Sequence, residues 1–243
     1  MERELKVKNQ RIMYLDSLRI FAIFAMMVLH VSASNWSKCL PNTYEFQVFN
    51  VYDSFVRFCV PVFVMISGVF FLDDRKSIDV KKLYTHNILR IVTAFIFWSL
   101  AYASYSLFDN VVLHGNELNY IAIKNFVIHS IYGHYHMWFL FAIVGLYIIT
   151  PLLRKISADK RLTEYFICLS FIFCYCINLL KLTRYGDIVN NVMNKSNFNF
   201  VMGYTGYYLL GYYLHRYEIS KKFNNVINVL AIISIAITIV FSS

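Results

Sequence analysis

The fold is decided by one stretch of sequence, residues 15–34, which reads LDSLRIFAIFAMMVLHVSAS. Its apolar run is long enough to cross a bilayer as an α-helix, yet it carries Arg19 near its start and His30 near its end. Eleven residues at about 100° each return to within ~20° of the starting direction, so the two side chains share one stripe, ~16 Å apart along the axis. Ionisable residues within membrane helices usually face the bundle interior or a wet cavity, so this pair is the first candidate for a functional site.

The composition of the 243-residue chain is that of a membrane protein, since 58% of its residues are hydrophobic and only 15% are charged. The apolar runs are continuous rather than alternating, which favours a polytopic α-helical bundle over a β-barrel. We therefore predict an all-α transmembrane fold of about seven spans. The predicted spans cover residues 15–34, 49–72, 88–108, 137–153, 162–182, 198–214 and 226–241.

The net charge of +9 is explained by where the basic residues lie in the predicted topology. Four alternate segments, residues 1–14, 73–90, 154–161 and 215–222, together hold 16 of the 23 lysines and arginines. The positive-inside rule places these segments on the cytoplasmic side. Residues 1–14 are therefore predicted to be a basic cytoplasmic leader, and residues 15–243 a single membrane domain. Because topology accounts for the charge, we do not expect nucleic acid as a partner.

The spacing of cysteines and histidines predicts no metal site. Four of the five cysteines fall within predicted spans and none forms a CxxC pair, so they are interpreted as small packing residues. The outer connector, residues 109–136, contains four histidines, of which only His134 and His136 are closely spaced. A moderately apolar piece of the same connector, residues 120–132, is expected to lie flat on the membrane surface.

Five segments of the chain form a series. The first span contains an Arg-x10-His arrangement, made by Arg19 and His30. The four segments that follow are RFCVPVFVMISGVFFL (57–72), LRIVTAFIFWSL (89–100), HMWFLFAIVGLYIITPLL (136–153) and GYYLLGYYL (206–214). In order and spacing the series resembles the acyltransferase 3 family of multi-span membrane acyltransferases, and most closely its branch that acylates surface polysaccharides.

Two features depart from the pattern of that family. The family often has Arg-x2-Arg before its third span, whereas here Asn87 precedes Arg90. Family members also commonly have more spans than the seven predicted here, so we expect this chain to lack the family's last helices.

The resemblance implies transfer of an acyl group, commonly acetyl, from cytoplasmic acyl-CoA to a hydroxyl of a sugar or another envelope acceptor. Acyl-CoA would be the donor substrate, and no cofactor would stay permanently bound. The implied partners are a glycan or lipid-linked glycan acceptor and membrane lipid. The implied location is the bacterial cytoplasmic membrane.

The resemblance and the chemistry of the residues together assign roles. His30 is expected to be the general base that deprotonates the acceptor hydroxyl or, as the alternative, an acyl relay. Arg19 would hold donor phosphates or orient the substrate, and Arg90 would contact the CoA phosphates. Arg57 would meet a sugar hydroxyl, a developing oxyanion or a buried carboxylate.

The segment 136–153 supplies the candidates for the acceptor side, which are His136, Trp138 and Tyr147. A simpler interpretation of His136 and Trp138 is an aromatic belt at the outer membrane surface. Arg19 likewise has a simpler interpretation, in which it pairs with Asp16 or snorkels to the inner headgroups.

Two other functions stay open from sequence. Intramembrane arginine and histidine also line pathways in transporters, so the alternative is a transporter or flippase-like protein for an anionic or amino-acid solute. A third interpretation is an inactive remnant of the family.

Overall fold

The computed structural model of the chain is helical in the residues that it describes. These are residues 12–36, 38–40, 43–73, 75, 77–173, 177–180, 184, 186–187, 189 and 203–241. No strand occurs among them, so the predicted all-α class is confirmed. The predicted leader up to residue 11, and parts of the predicted spans 162–182 and 198–214, lie outside the described residues.

The helices have well-defined bounds. In chain order they are α1 (Met13–Trp36), α2 (Tyr44–Val56), α3 (Cys59–Phe71), α4 (Val80–Leu113), α5 (Tyr120–Tyr132), α6 (Trp138–Ser157), α7 (Lys160–Phe171), α8 (Ile177–Leu180), α9 (Thr205–Arg216) and α10 (Lys221–Phe241). Two π-helical turns, Leu83–Ile88 and Asp109–Leu113, flank the regular part of α4. Side chains that cap helix N-termini accept backbone hydrogen bonds in α2, α4, α5 and α7; they are Thr43, Asp79, Asn119 and Asp159.

Four helical segments of the described chain are long and apolar enough to cross a membrane. They are α1, α2 continued by α3, α4, and α6, and they coincide with the first four predicted spans. In α10 the apolar part is shorter, Asn224–Ile239, while α7 and α9 have 12 residues each. The membrane bundle is thus supported through four spans, and the count of seven stays a prediction.

The second span is interrupted in its middle, where the sequence predicts one continuous helix. Arg57 and Phe58 form a turn between α2 and α3. The cause is Pro61, which has no N–H to donate to the carbonyl of Arg57 and whose ring crowds that carbonyl. Regular bonding resumes at once, since the N–H of Val62 donates to the Phe58 carbonyl at 3.0 Å.

The chain divides into two compact units, Met1–Phe70 with Tyr207–Ser243, and Phe71–Gly206. In the first unit α1 and α2 run antiparallel. The rings of Trp36 and Phe46 lie 5.5 Å apart at one end of the pair, and Ala25 packs against Val56 and Cys59 further along. The next helix continues this contact, since Leu15 packs with residues 66 and 69 of α3.

Close backbone contact joins α3 to α9 in the first unit. A β-carbon added at Gly68 would overlap the carbonyl of Tyr208, and one added at Gly211 would overlap the backbone of Met65. Small residues allow this approach, which is how membrane helices commonly associate. Gly68 therefore lets α3 approach α9, and Gly211 supplies the matching position on the other helix.

In the second unit α4 packs against α5 and α6. Phe95 of α4 meets Phe141 of α6 edge-on, with ring centroids 4.7 Å apart. At the far end of α6, Arg154 donates from Nη1 to the carbonyl of Phe71 at 2.9 Å, and Ser157 donates from Oγ to the carbonyl of Leu72 at 3.0 Å. These bonds satisfy carbonyls at a helix C-terminus, which have no partner within the helix.

Within each unit, the helix ends next to the predicted cytoplasmic segments contact one another. In the first unit Tyr14 Oη lies 2.6 Å from Nδ1 of His215, and the guanidinium of Arg19 lies 5.5 Å from the ring centroid of Phe70. In the second unit, Arg154 of the predicted cytoplasmic segment 154–161 donates to the carbonyl of Phe71, which lies just before the connector 73–90. This grouping supports the alternation of connectors, and the cytoplasmic side of the amino terminus stays a prediction.

The side of each connector can be tested by thiol labelling in a Cys39→Ser background. We expect Asn116→Cys to react with a membrane-impermeant maleimide in intact cells, because residues 109–136 are predicted to be outside. Ser77→Cys should react only after permeabilisation. Labelling of the two positions in the reverse order would contradict the predicted orientation.

The glycine contacts can be tested by alanine substitution. Alanine in place of glycine normally favours a helix by up to ~1 kcal/mol, but in Gly68→Ala and Gly211→Ala the added carbon meets backbone, so we expect a loss of ~1–3 kcal/mol, as for overpacked interiors. The readout is the melting temperature of purified protein in detergent. Gly145→Ala is the matched control, because a β-carbon there meets nothing within 4 Å. Equal melting temperatures in all three variants would mean that α3 and α9 do not pack as described.

Candidate active site

The first candidate, Arg19, lies in the first third of α1 with its side chain 43% exposed. Its Nη1 lies 3.5 Å from Oδ1 of Asp16, three residues earlier on the same helix. The guanidinium also lies over the ring of Phe70, where a cation is attracted to the π face. The pairing with Asp16 that the sequence allowed is therefore present. The guanidinium has five N–H donors, so a half-exposed side chain with this single long contact keeps donors for a ligand.

The second candidate, His30, lies near the end of α1 and is half-buried. It follows Leu29, which packs against the cluster of Ala25, Val56 and Cys59. Around the axis of α1, His30 lies ~60° from the exposed Met27 and ~140° from the buried Ala25. The half-buried imidazole therefore lies at the edge of the face that packs against α2.

The third candidate, Arg57, lies at the interruption between α2 and α3. Its Nε and Nη2 lie 2.7 Å and 2.6 Å from Oδ2 of Asp53. The side chain of Asp53 is only 8% exposed, whereas that of Arg57 is 46% exposed. The sequence left three contacts open for Arg57: a sugar hydroxyl, a developing oxyanion or a buried carboxylate. The structure shows the contact with a buried carboxylate, that of Asp53. Asp53 takes the Nε edge of the guanidinium, and the Nη1 group points away from this contact.

The packing of α1 on α2 sets the relative heights of the three candidates. Val56 and Cys59 flank Arg57 in the chain and pack against Ala25, so Arg57 lies near the level of Ala25 along α1. Arg19 lies six residues before that level and His30 five residues after it, which is ~9 Å and ~7.5 Å along the helix axis. Arg57 thus stands at an intermediate height between the other two candidates.

A row of buried polar side chains on α2 is not among the residues predicted from the sequence. It consists of Asn50, Asp53 and Ser54, all less than 7% exposed. Asn50 donates from Nδ2 to the carbonyl of Ile239 in α10 at 3.0 Å, and Ser54 donates to Oδ1 of Asn50 at 3.4 Å. The signal was present in the spacing, since residues 50, 53, 54 and 57 share one helical face and an aspartate precedes Arg57 by four residues.

The remaining candidates belong to the second unit. Arg90 is exposed near the start of the regular part of α4. Trp138 begins α6 and its ring stacks on Tyr204 with centroids 5.9 Å apart. Tyr147 lies nine residues further, ~14 Å along α6, and its ring lies 4.4 Å from that of Phe71.

The last candidate, His136, lies in the 3-10 turn that precedes α6. Its Nδ1 lies 2.7 Å from Nδ1 of His134, so one ring nitrogen donates and the other accepts. His136 and Trp138 therefore lie together at one end of α6, while Tyr147 lies near its middle.

Comparison with protein families decides the assignment. The acyltransferase 3 family model, described as an acyltransferase domain, matches residues 12–243. The chain belongs to the acyltransferase 3 family. The match includes all of the second compact unit, the first unit from residue 12 onward, and all of the candidate residues. Neither the curated proteins nor the solved structures gave a match to the chain.

Membership of the acyltransferase 3 family makes this chain a membrane acyltransferase. In that setting the two intramembrane arginines share a property, since each is met by an aspartate of its own helix. The pairing lowers the cost of holding a cation in a medium of low dielectric constant. The short contact with Asp53 also orients the guanidinium of Arg57, whereas Asp16 lies farther from Arg19, at 3.5 Å. Both arginines keep part of their surface open to a substrate.

The contact between Arg57 and Asp53 can be tested by a double-mutant cycle. Arg57→Gln leaves a buried carboxylate without its partner, so we expect a loss of ~1–3 kcal/mol. Asp53→Asn should cost less, since Arg57 is half-exposed, and the double variant should recover most of the loss. The readout is the melting temperature in detergent.

The control for this cycle is Lys160→Gln, which removes the exposed pair with Glu164. An exposed pair contributes ~0–1 kcal/mol, so a small shift is expected. Strictly additive losses in the Asp53 and Arg57 variants would show that the two side chains do not interact in the folded protein.

Proposed function

We propose that this membrane acyltransferase moves an acyl group, most simply acetyl, from cytoplasmic acyl-CoA to a hydroxyl of a cell-surface or envelope polysaccharide. The proposal places it in the bacterial cytoplasmic membrane. The observation that carries it is the placement of Arg19 and His30 on one stripe of α1, inside a chain whose family match includes the whole of that helix.

The proposed reaction needs few groups, because a thioester is already activated. His30 takes the proton of the attacking hydroxyl as its oxygen bonds to the acyl carbon. The tetrahedral intermediate then collapses, the C–S bond breaks, and the proton passes from His30 to the departing CoA thiolate. A positioned general base commonly contributes 10²–10⁴-fold to such a step. The alternative, in which His30 itself carries the acyl group, needs two successive transfers.

Arg19 is proposed to act on the donor side. It lies ~16 Å from His30 along α1, a span that the pantetheine arm of CoA would bridge. Its remaining N–H donors suit phosphate oxygens, which guanidinium groups bind in bidentate fashion. Arg90, exposed at the predicted inner end of α4, is proposed as a second phosphate contact. CoA is a substrate here, and no permanently bound cofactor is part of the proposal.

Arg57 is proposed to stabilise the oxyanion. Asp53 holds its Nε edge, and the intermediate height of Arg57 is ~7.5 Å from that of His30 along α1. An extended arginine side chain covers much of such a distance. Donors that are fixed before the reaction stabilise developing charge more than mobile ones do, so the contact with Asp53 would favour catalysis.

The acceptor is proposed to be a glycan or a lipid-linked glycan that reaches the protein with membrane lipid around it. His136, Trp138 and Tyr147 are the proposed contacts. Trp138 is 46% exposed while its ring stacks on Tyr204, and an aromatic face of this kind suits the apolar face of a sugar ring.

A transporter or flippase-like function is the second candidate. The observation that favours it is the interruption of the second span at Arg57, because transporters commonly use discontinuous helices and intramembrane charges at their substrate sites. Transport would move a solute without covalent change, whereas acyl transfer releases free CoA thiol.

The proposal is tested by transfer of labelled acetyl from acetyl-CoA in membranes that contain the full chain. We expect label in the glycan fraction for the wild type and a loss of roughly a hundredfold in His30→Ala, as is usual for a general base. Arg19→Ala should raise the KM for acetyl-CoA. His86→Ala is the matched control outside the proposed site and should keep wild-type activity.

Each variant is compared at equal membrane abundance. If the wild type shows neither glycan label nor thiol release, acyl transfer to a glycan is wrong. A His30→Ala variant as active as the wild type would remove His30 from the reaction.

A further inference from the structure

A cavity of about 490 Å³ lies in the second unit, at the end of α4 and the turn after α5. Its volume falls within the ~300–1,000 Å³ typical of small-molecule sites. Six of the residues that line it carry hydrogen-bonding side chains; they are Tyr102, Tyr105, Ser106, Asp109, His129 and His134. Of these six, only His134 belongs to a spacing that the sequence singled out.

The wall of the cavity depends on the turn at Gly133. This residue has a φ of 71°, a conformation that favours glycine. A β-carbon there would lie 2.9 Å from Cε2 of Phe95 and 3.0 Å from Oγ of Ser99, so the chain passes directly against α4. The N–H of Gly133 still donates to the carbonyl of His129 at 2.9 Å. The turn therefore ends α5 and carries His134 onto the surface of α4.

Tyr102 organises the rings at this wall. Its centroid lies 4.9 Å from that of His134 and 5.2 Å from that of His136. The two imidazoles are hydrogen-bonded to each other through Nδ1 at 2.7 Å, and the ring centroid of Trp98 lies 6.2 Å from that of Tyr102. The ring of Tyr102 is thus fixed by its neighbours and is still 38% exposed.

The lining selects a class of ligand. Among the described residues that line it there is neither lysine nor arginine, so this part of the lining has no permanently positive side chain to attract an anion. Its formal charge is the carboxylate of Asp109, and Oδ2 of that residue lies 3.5 Å from Nδ1 of His114. Tyrosine and serine hydroxyls and imidazoles supply both donors and acceptors. Two tyrosines add apolar ring faces. Dense donors and acceptors beside an aromatic face suit a neutral polyhydroxylated ring.

We propose that this cavity binds a neutral sugar ring of the acceptor glycan. Tyr102 presents the ring face that packs on the sugar, and Asp109 accepts hydrogen bonds from sugar hydroxyls. The cavity borders the connector 109–136, which is predicted to be outside, where a surface glycan is available. This inference rests on the proposed function in one respect, namely that the acceptor is a glycan.

Sugar binding is measured by saturation-transfer-difference NMR on the full chain in phosphatidylcholine nanodiscs. The probes are N-acetylglucosamine and galactose as neutral sugars and glucuronate as an anionic one. We expect saturation transfer to the neutral sugars and weaker transfer to glucuronate. Tyr102→Ala and the nearly isosteric Asp109→Asn should each weaken binding at least fivefold. Tyr120→Ala removes an exposed tyrosine outside the cavity and should bind as the wild type does.

Several results would overturn the site. These are no transfer to either neutral sugar, stronger transfer to glucuronate, or unchanged binding in Asp109→Asn, which keeps the shape of the side chain and so the fold. Failure of the proposed function looks different. If the wild type binds sugar but releases no CoA thiol, the sugar site is supported and the proposed acyl transfer is wrong. If the protein is active and Asp109→Asn has the same KM for the acceptor as the wild type, acyl transfer is supported and the sugar site is wrong.

Discussion

The structure of the first unit depends on how arginine is held inside a membrane span. An arginine at the centre of a membrane helix costs ~2.5–3.5 kcal/mol on insertion scales. Arg19 and Arg57 are each met by an aspartate three or four residues earlier on the same helix, Asp16 and Asp53. Because the partner is local, each guanidinium is placed by its own helix, and the packing of helices then sets only the heights at which the two arginines lie.

The interrupted second span adds to this arrangement. Pro61 prevents a hydrogen bond to the carbonyl of Arg57, so the backbone turns at the residue whose side chain is bound by Asp53. Pro61 therefore affects the main chain of Arg57, and Asp53 binds its side chain. Arg57 is consequently oriented more firmly than an arginine in the middle of an unbroken helix, whose long side chain has many rotamers.

Features with a local cause were predictable from sequence. Apolar length alone indicated the four spans that the structure supports. The partner of Arg57 was one of three alternatives, because spacing shows that Asp53 shares its face but not whether that face is buried. The bond from Asn50 to α10 was not predictable, since it joins residues 189 apart in sequence. The cavity beside Tyr102 was not predictable from sequence either, because it depends on the backbone conformation of Gly133 and on the packing of α5 against α4.

The local aspartate partners bear on biogenesis. Membrane spans leave the translocation channel one or a few at a time, before distant helices are available to pack against them. An arginine that relied on a later helix for its counter-charge would have to enter lipid unpaired. Here the first and second spans each bring an acidic partner about one helical turn from the arginine, so each is synthesised with the means to neutralise its own intramembrane cation. Partitioning of these two spans into the bilayer is thereby uncoupled from the order in which the rest of the bundle assembles.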